Sequence, residues 1–282
     1  MACVSLNRRK NSGTRVPLRI PLSLISHLLI FGMIQSANSG ASPNVMWHRF
    51  RRWNFRTFRP AKFAAIQTKR GPFEAHRCIF VHIPKCAGIS VVKSLFGDFS
   101  CGHGNLKRYQ IMFGPEEFNA YFKFTVVRNP FDRLVSAFLF MKKGGINDKD
   151  KRWAERNLTP YADFDAFVKG WVNRSNIWKG LHFRPQLSFI CLKKNQPGLD
   201  FIGYLENLPA DFDFICQKLG IKSSLLEANR NLSRKKGYTD YYTDETRAIV
   251  EDAYADDLRV LGYNFDNSSL PQQLAVRDAA GR

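Results

Sequence analysis

The clearest pattern along the chain is a short apolar run that stops at a small, glycine-containing turn and gives way to a helical period. "CIFVHI", Cys78 to Ile83, is apolar and partly β-branched and is bounded by Pro84, as expected of a strand buried on both faces. "SVVKSLF", Ser90 to Phe96, then reads as a helix that begins just after Gly88. "YFKFTVV", Tyr121 to Val127, predicts a second buried strand. "NPFDRLVSAFLFMKK" predicts a helix with Pro130 near its first turn, where proline is tolerated. Its apolar residues Phe131, Leu134, Val135, Phe138 and Leu139 fall at helical spacing. "LDFIGYLE", Leu199 to Glu206, predicts a third strand, with Asp211 to Leu219 as the helix after it. "TDETRAIVEDAYADDLRVLG" predicts one long helix, with Thr243 as cap, acids in the first turn and Gly262 at its end. Strand–turn–helix units in series predict an α/β fold, a central parallel sheet with helices on both faces. Such sheets bind ligands at the carboxyl ends of their strands.

Upstream the pattern differs. Arg8, Arg9, Lys10, Arg15 and Arg19 precede the 13-residue apolar run "LSLISHLLIFGMI", Leu22 to Ile34, and the small polar stretch "QSANSGASPN". This is the layout of a signal peptide or signal anchor over residues 1–40. The run is shorter than the roughly 20 residues that a spanning helix prefers, and an organellar presequence is the other reading. "MWHRFRRWNFRTFRPAKF", Met46 to Phe63, interleaves aromatic and basic residues in a stem or linker over 41–72. It reads either as a membrane-interface or polyanion-binding stem, or as a linker whose aromatics pack on the outside of the domain. The folded body is expected over 73–267, and a flexible tail over 268–282.

Locating the charge changes what it implies. The formal net charge is +19, but residues 1–70 hold 13 of the 43 Lys and Arg and no Asp or Glu, leaving 30 basic against 24 acidic residues elsewhere. The body is only mildly basic, and no nucleic-acid partner is expected. Among the six cysteines no CxxC pair and no zinc-ligand spacing occurs, so no metal is expected. In an oxidising lumen, Cys78, Cys101, Cys191 and Cys216 allow three connectivities. Sequons at Asn157, Asn173, Asn231 and Asn267 matter only in such a setting.

The candidate chemistry lies at the ends of the first two strands. A Walker loop places its lysine after the second glycine. Here Lys85 comes first, then Cys86, Ala87, Gly88, Ile89 and Ser90. The ingredients of an anion site are still present: small residues, a helix N-terminus with free N–H groups, a point charge and a hydroxyl. The bland reading is an ordinary strand–helix turn with a solvated lysine. At the end of the second strand stands "VVRNPFDRLVSAF", with Arg128 at the strand's carboxyl end and Ser136 about two helical turns on. A guanidinium there suits a phosphate; alternatively, Arg128 tethers to Asp132 and Ser136 is a small packing residue.

Together, "HIPKCAGIS" and "VVRNPFDRLVSAF" resemble the two signature segments of the sulfotransferases that use 3′-phosphoadenosine 5′-phosphosulfate, most closely the membrane-bound carbohydrate sulfotransferases. "LHFRPQ", "DFIGYLENL", "NLSRKKGYTDYY" and "YADDLRVLGYNF" resemble later parts of those enzymes less specifically, and the likeness covers roughly Cys78 to Phe265. The resemblance implies a P-loop-like three-layer sandwich that needs no metal. It implies that Lys85, Cys86, Ala87, Gly88, Ile89 and Ser90 cradle the 5′-phosphosulfate and that Arg128 and Ser136 take the 3′-phosphate. Arg234 and Lys235, in a basic loop, would close over the donor or meet an anionic acceptor; the bland reading is a solvated run. Ile89 stands where the family usually has threonine. "SCGHGNLKRY" resembles the catalytic histidine segment of uronyl-type enzymes, which makes His103 the expected general base. His182 follows as runner-up, then Glu116 or Glu117, while His82 reads as a packed residue. Lys85 is expected to stabilise the leaving phosphate oxygen. The expected activity is transfer of a sulfuryl group to a carbohydrate hydroxyl, in a Golgi membrane protein with a lumenal catalytic domain. A P-loop nucleotide kinase and a non-catalytic anion- or glycan-binding relative are the competing readings.

Overall fold

A computed structural model describes residues 3–9, 15–21, 43–226 and 236–279. β1 (Cys3–Arg9) and β2 (Arg15–Pro21) pair antiparallel, and α1 (Pro43–Phe58) and α2 (Pro60–Gln67) follow. β3 (Cys78–Val81) leads into α3 (Gly88–Phe96), then α4 (Leu106–Met112) and α5 (Pro115–Ala120). β4 (Phe122–Val127) leads into α6 (Pro130–Lys142), with α7 (Asp148–Leu158) and α8 (Phe164–Trp171) after it. β5 (Cys191–Lys193) and β6 (Gln196–Pro197) form a small hairpin, and β7 (Phe201–Tyr204) runs into α9 (Leu208–Leu219). α10 (Asp244–Ala253), α11 (Ala255–Leu261) and α12 (Leu270–Ala279) complete the described chain.

The chain divides into two compact units. One comprises Met1–Arg70 and Lys107–Ala120. In it the segment expected as a stem is helical and fastened to residues 107–120. The buried His48 bonds through Nε2 to the Gln110 carbonyl at 2.5 Å, and Arg49 and Arg70 pair with Glu116 and Glu117, each at 2.5 Å. The apolar run 22–34 lies outside the described residues. Among those described, no helix is long and apolar enough to cross a membrane.

The other unit, Gly71–Leu106 and Tyr121–Arg282, carries the three predicted strands as a parallel sheet in the order β3-β4-β7. Cys78 pairs with Phe122 and Val81 with Thr125, while Phe124 pairs with Phe201 and Val127 with Tyr204. β3 is buried along its whole length, which is why it alternates no polar residues. Helices flank the sheet. Phe131, Leu134, Val135 and Phe138 of α6 pack with Phe167 and Trp171 of α8 and with Val250 of α10 in one apolar cluster.

One expectation is corrected here. The long helix predicted from Thr243 is two helices. Its start is as predicted, with a reciprocal cap between Thr243 and Thr246, but the backbone leaves helical geometry at Tyr254 (φ −112°, ψ 23°). Tyr254 is buried and donates its hydroxyl to the Phe183 carbonyl at 2.6 Å. Within the stretch expected as a tail lies α12, whose Arg277 meets the fully buried Asp211 carboxylate at 2.8 Å. A buried carboxylate needs such a partner. Cys78, Cys86, Cys101, Cys191 and Cys216 are free thiols, so none of the three possible pairings forms.

Candidate active site

The two segments singled out in the sequence meet at the carboxyl ends of β3 and β4. Past Val81 the chain turns through Pro84 and Lys85, and both Lys85 (φ 70°) and Ala87 (φ 54°) occupy the left-handed region that favours glycine. Left-handed residues alternating with right-handed ones turn successive backbone N–H groups towards one point, an anion-binding concavity. Such strain in non-glycine residues persists only where the surroundings impose it. α3 starts immediately afterwards without a side-chain cap, so its positive dipole end faces this turn. Gly88 answers to a different constraint: a Cβ there would lie 1.9 Å from Cδ2 of His82.

Arg128 ties the second segment to the first. Its Nη1 donates to the Lys85 carbonyl at 3.0 Å and its Nε to Asp132 at 2.7 Å. The tether to Asp132 is therefore present, but neither bond uses Nη2. The Lys85 ammonium stands over the Phe140 ring, 3.9 Å from its centroid. Burial, with the Arg128 charge adding to it, pulls the Lys85 pKa down to about 8. This lysine is half-buried rather than freely solvated. Ser90 and Ser136 are both buried, whereas Ile89 is 39% exposed. Arg234 and Lys235 lie outside the described residues.

Three imidazoles gather behind the loop. His82 stacks on Phe80 and its ring lies 4.2 Å from that of His103. His103 Nδ1 is 3.0 Å from the His82 carbonyl oxygen, which can only accept. Nδ1 therefore carries the proton and Nε2 keeps its lone pair, the form a general base requires. Burial lowers the His103 pKa, against the opposing pull of the His82 carbonyl and of Asp150. His182 lies beyond, its ring 6.1 Å from that of His103, with Nε2 3.4 Å from Asp150 Oδ1. Burial lowers its pKa to about 4, and that of His82 to about 3. All three rings are neutral at physiological pH. Glu116 and Glu117, the fallback bases, belong to the other unit and are engaged by Arg49 and Arg70.

Several residues that organise this site were not singled out in the sequence. Arg133 is 1% exposed and donates to the carbonyls of Pro84 (3.1 Å), His182 (3.2 Å) and Arg184 (2.6 Å), so one buried cation fixes the entry to the loop and the histidine segment together. Gln186 is fully buried; its side chain accepts from Arg128 N (2.9 Å) and Cys86 Sγ (3.3 Å) and donates to Arg128 O (2.8 Å). Asp257, at the start of α11, receives the Gln186 and Leu187 N–H groups at 2.6 and 3.0 Å. Asn129 caps α6 through Phe131 N and donates to the Asn264 carbonyl at 2.8 Å. Asn129 and Arg133 lie within "VVRNPFDRLVSAF", Gln186 within "LHFRPQ" and Asp257 within "YADDLRVLGYNF", so the likeness of those segments was the sequence signal for them. Among the described residues no group of three or more His, Cys, Asp or Glu is placed to hold a metal.

The chain matches the sulfotransferase family over residues 73–264, the span that holds every element of this site described so far. It belongs to that family. Its chemistry is thus sulfuryl transfer, and the sheet and flanking helices are consistent with the family's fold. An uncharacterised protein of Archaeoglobus fulgidus is 34% identical over 113 residues, which cover 40% of this chain and 78% of that relative. No solved structure matches.

Proposed function

We propose that this sulfotransferase takes its sulfuryl group from 3′-phosphoadenosine 5′-phosphosulfate and transfers it to a carbohydrate hydroxyl. The observation that carries the reading is the junction of Lys85 and Arg128. Two cations are held together in a partly desolvated turn, at an uncapped helix N-terminus, and burial, with the Arg128 charge adding to it, already depresses the lysine. Such a place is stabilised by an anion rather than by water. The residues fit a donor with phosphate at both ends: the loop from Lys85 to Ser90 for the 5′ side, and Arg128 Nη2 with Ser136 for the 3′ side.

The chain's own part in the chemistry follows. His103 Nε2 receives the proton of the acceptor hydroxyl as the new O–S bond forms. The Lys85 ammonium offsets the charge that gathers on the departing phosphate oxygen as the old S–O bond breaks. Positioning and charge neutralisation supply the rest, as in phosphoryl transfer. The carbohydrate class of the acceptor rests on the likeness of residues 181–186 and 200–208 to the carbohydrate enzymes.

The test is transfer of radiolabelled sulfate from the donor to a panel of glycans, with tyrosyl peptides and simple alcohols alongside. Labelled glycan supports the whole reading. Label on peptide or alcohol alone overturns the acceptor class. Unchanged binding of 3′-phosphoadenosine 5′-phosphate by both Lys85→Ala and Arg128→Ala overturns the donor assignment.

A further inference from the structure

The first unit presents a surface that sulfuryl transfer does not use. Along α1, Trp47, Phe50 and Trp53 recur every third residue and stay within an arc of about 120° at 100° per residue. They form a ladder, with ring centroids 5.5 Å apart between Trp47 and Phe50 and 6.2 Å between Phe50 and Trp53. Trp47 is 61% and Trp53 43% exposed. The opposite face is the fastened one: His48 bonds to Gln110, and Arg52 Nη1 donates to the Met112 carbonyl at 2.7 Å. The indoles therefore face outward because the helix is held from behind.

Charge decides what covers this ladder. Residues 43–70 contain eight Lys or Arg and no acid. Arg49 and Arg56 fall on one flank of the aromatic arc and Arg51 on the other. Arg56 has no carboxylate partner among the described residues. A soluble polyanion would engage the arginines but has no apolar layer into which the indoles could insert. An anionic bilayer surface uses both, since tryptophan seats at the headgroup boundary and arginine meets anionic lipid. The sequence just before α1 is itself an apolar run, Leu22 to Ile34.

We propose that α1 lies on anionic lipid, with Trp47, Phe50 and Trp53 inserted into the headgroup boundary and Arg56 on the lipid phosphates. This surface acts whether or not the donor and acceptor assignments above hold.

The full-length protein is mixed with vesicles of phosphatidylcholine and phosphatidylserine carrying brominated acyl chains, which quench only tryptophans that enter the bilayer. The chain has five tryptophans, so the double variant Trp47→Phe/Trp53→Phe supplies the baseline of the other three. Quenching in the parent protein that is lost in the double variant is the expected result. Arg56→Gln should weaken binding to phosphatidylserine vesicles about fivefold, and leave phosphatidylcholine vesicles unaffected. Equal quenching in parent and double variant, or none in either, overturns the proposal. So does tight binding to heparin with no quenching by vesicles, which would make the surface a polyanion site.

Discussion

Gln186 closes on both backbone groups of Arg128, accepting from its N–H at 2.9 Å and donating to its carbonyl at 2.8 Å. A side-chain amide thus does for the end of β4 what another strand would do, and through Cys86 it holds the donor loop as well. Gln186→Leu should leave two buried backbone groups unpaired and cost on the order of 2–4 kcal/mol. Denaturant titration checks the stability. Binding of 3′-phosphoadenosine 5′-phosphate by the folded fraction should also fall, because Arg128 loses its register.

Lys85 titrates near pH 8 in the free protein, below its ordinary value. An anion binds the ammonium form, so affinity for 3′-phosphoadenosine 5′-phosphate should hold below pH 8 and fall as pH rises through it, with proton uptake on binding. Calorimetry in buffers of different ionisation enthalpy reads both. Lys85→Arg, which stays charged throughout, should abolish that pH dependence. An unchanged slope in that variant would assign the titration to another group.

His103→Ala should reduce turnover roughly 10²–10⁴-fold and leave binding of the desulfated donor intact. Because burial lowers the His103 pKa, the acid limb of kcat/KM should lie below pH 6.5. An acid limb at or above neutrality would exclude His103 as the base.

Gly88→Ala should disable the enzyme without unfolding it. The added methyl meets the His82 ring, which must move, and the His82 carbonyl is what fixes the His103 tautomer. A crystal structure of the variant should show the 3.0 Å bond broken, and turnover should fall with little change in donor affinity.

Ile89→Thr should strengthen donor binding about fivefold, the worth of one added hydrogen bond. Ile89 is 39% exposed in the first turn of α3, so an apolar side chain faces outward beside the uncapped helix start. Isothermal titration of parent and variant decides it, and no gain would mean that the loop's backbone already saturates the phosphate.

The three sheet strands and the starts of their helices were legible because each is a local signal: a buried apolar run, a proline in a first turn, a capping threonine. Lys85, Arg128 and His103 stood out because they sit where such runs stop. What stayed hidden depends on partners far along the chain. Arg133 reads as one more helical arginine until the carbonyls of residues 84, 182 and 184 converge on it. Asp150 reads as an acid in a first helical turn until His182 reaches it. The break at Tyr254 is invisible for the same reason, since it is set by a hydroxyl bound 71 residues away. Helical periodicity cannot report a bond of that span.

Arg277 of α12 reaches the Ile202 carbonyl as well as Asp211, and its guanidinium lies 5.0 Å from the Phe201 ring centroid. Two of those contacts are to β7, an edge strand of its sheet among the described residues, and α12 begins beyond residue 264, where the family match ends. Loss of this helix should therefore leave that strand edge more open to pairing with another copy of the sheet. A chain cut after Phe265 would keep every catalytic side chain and become prone to self-association, so its yield in solution would drop before its chemistry did.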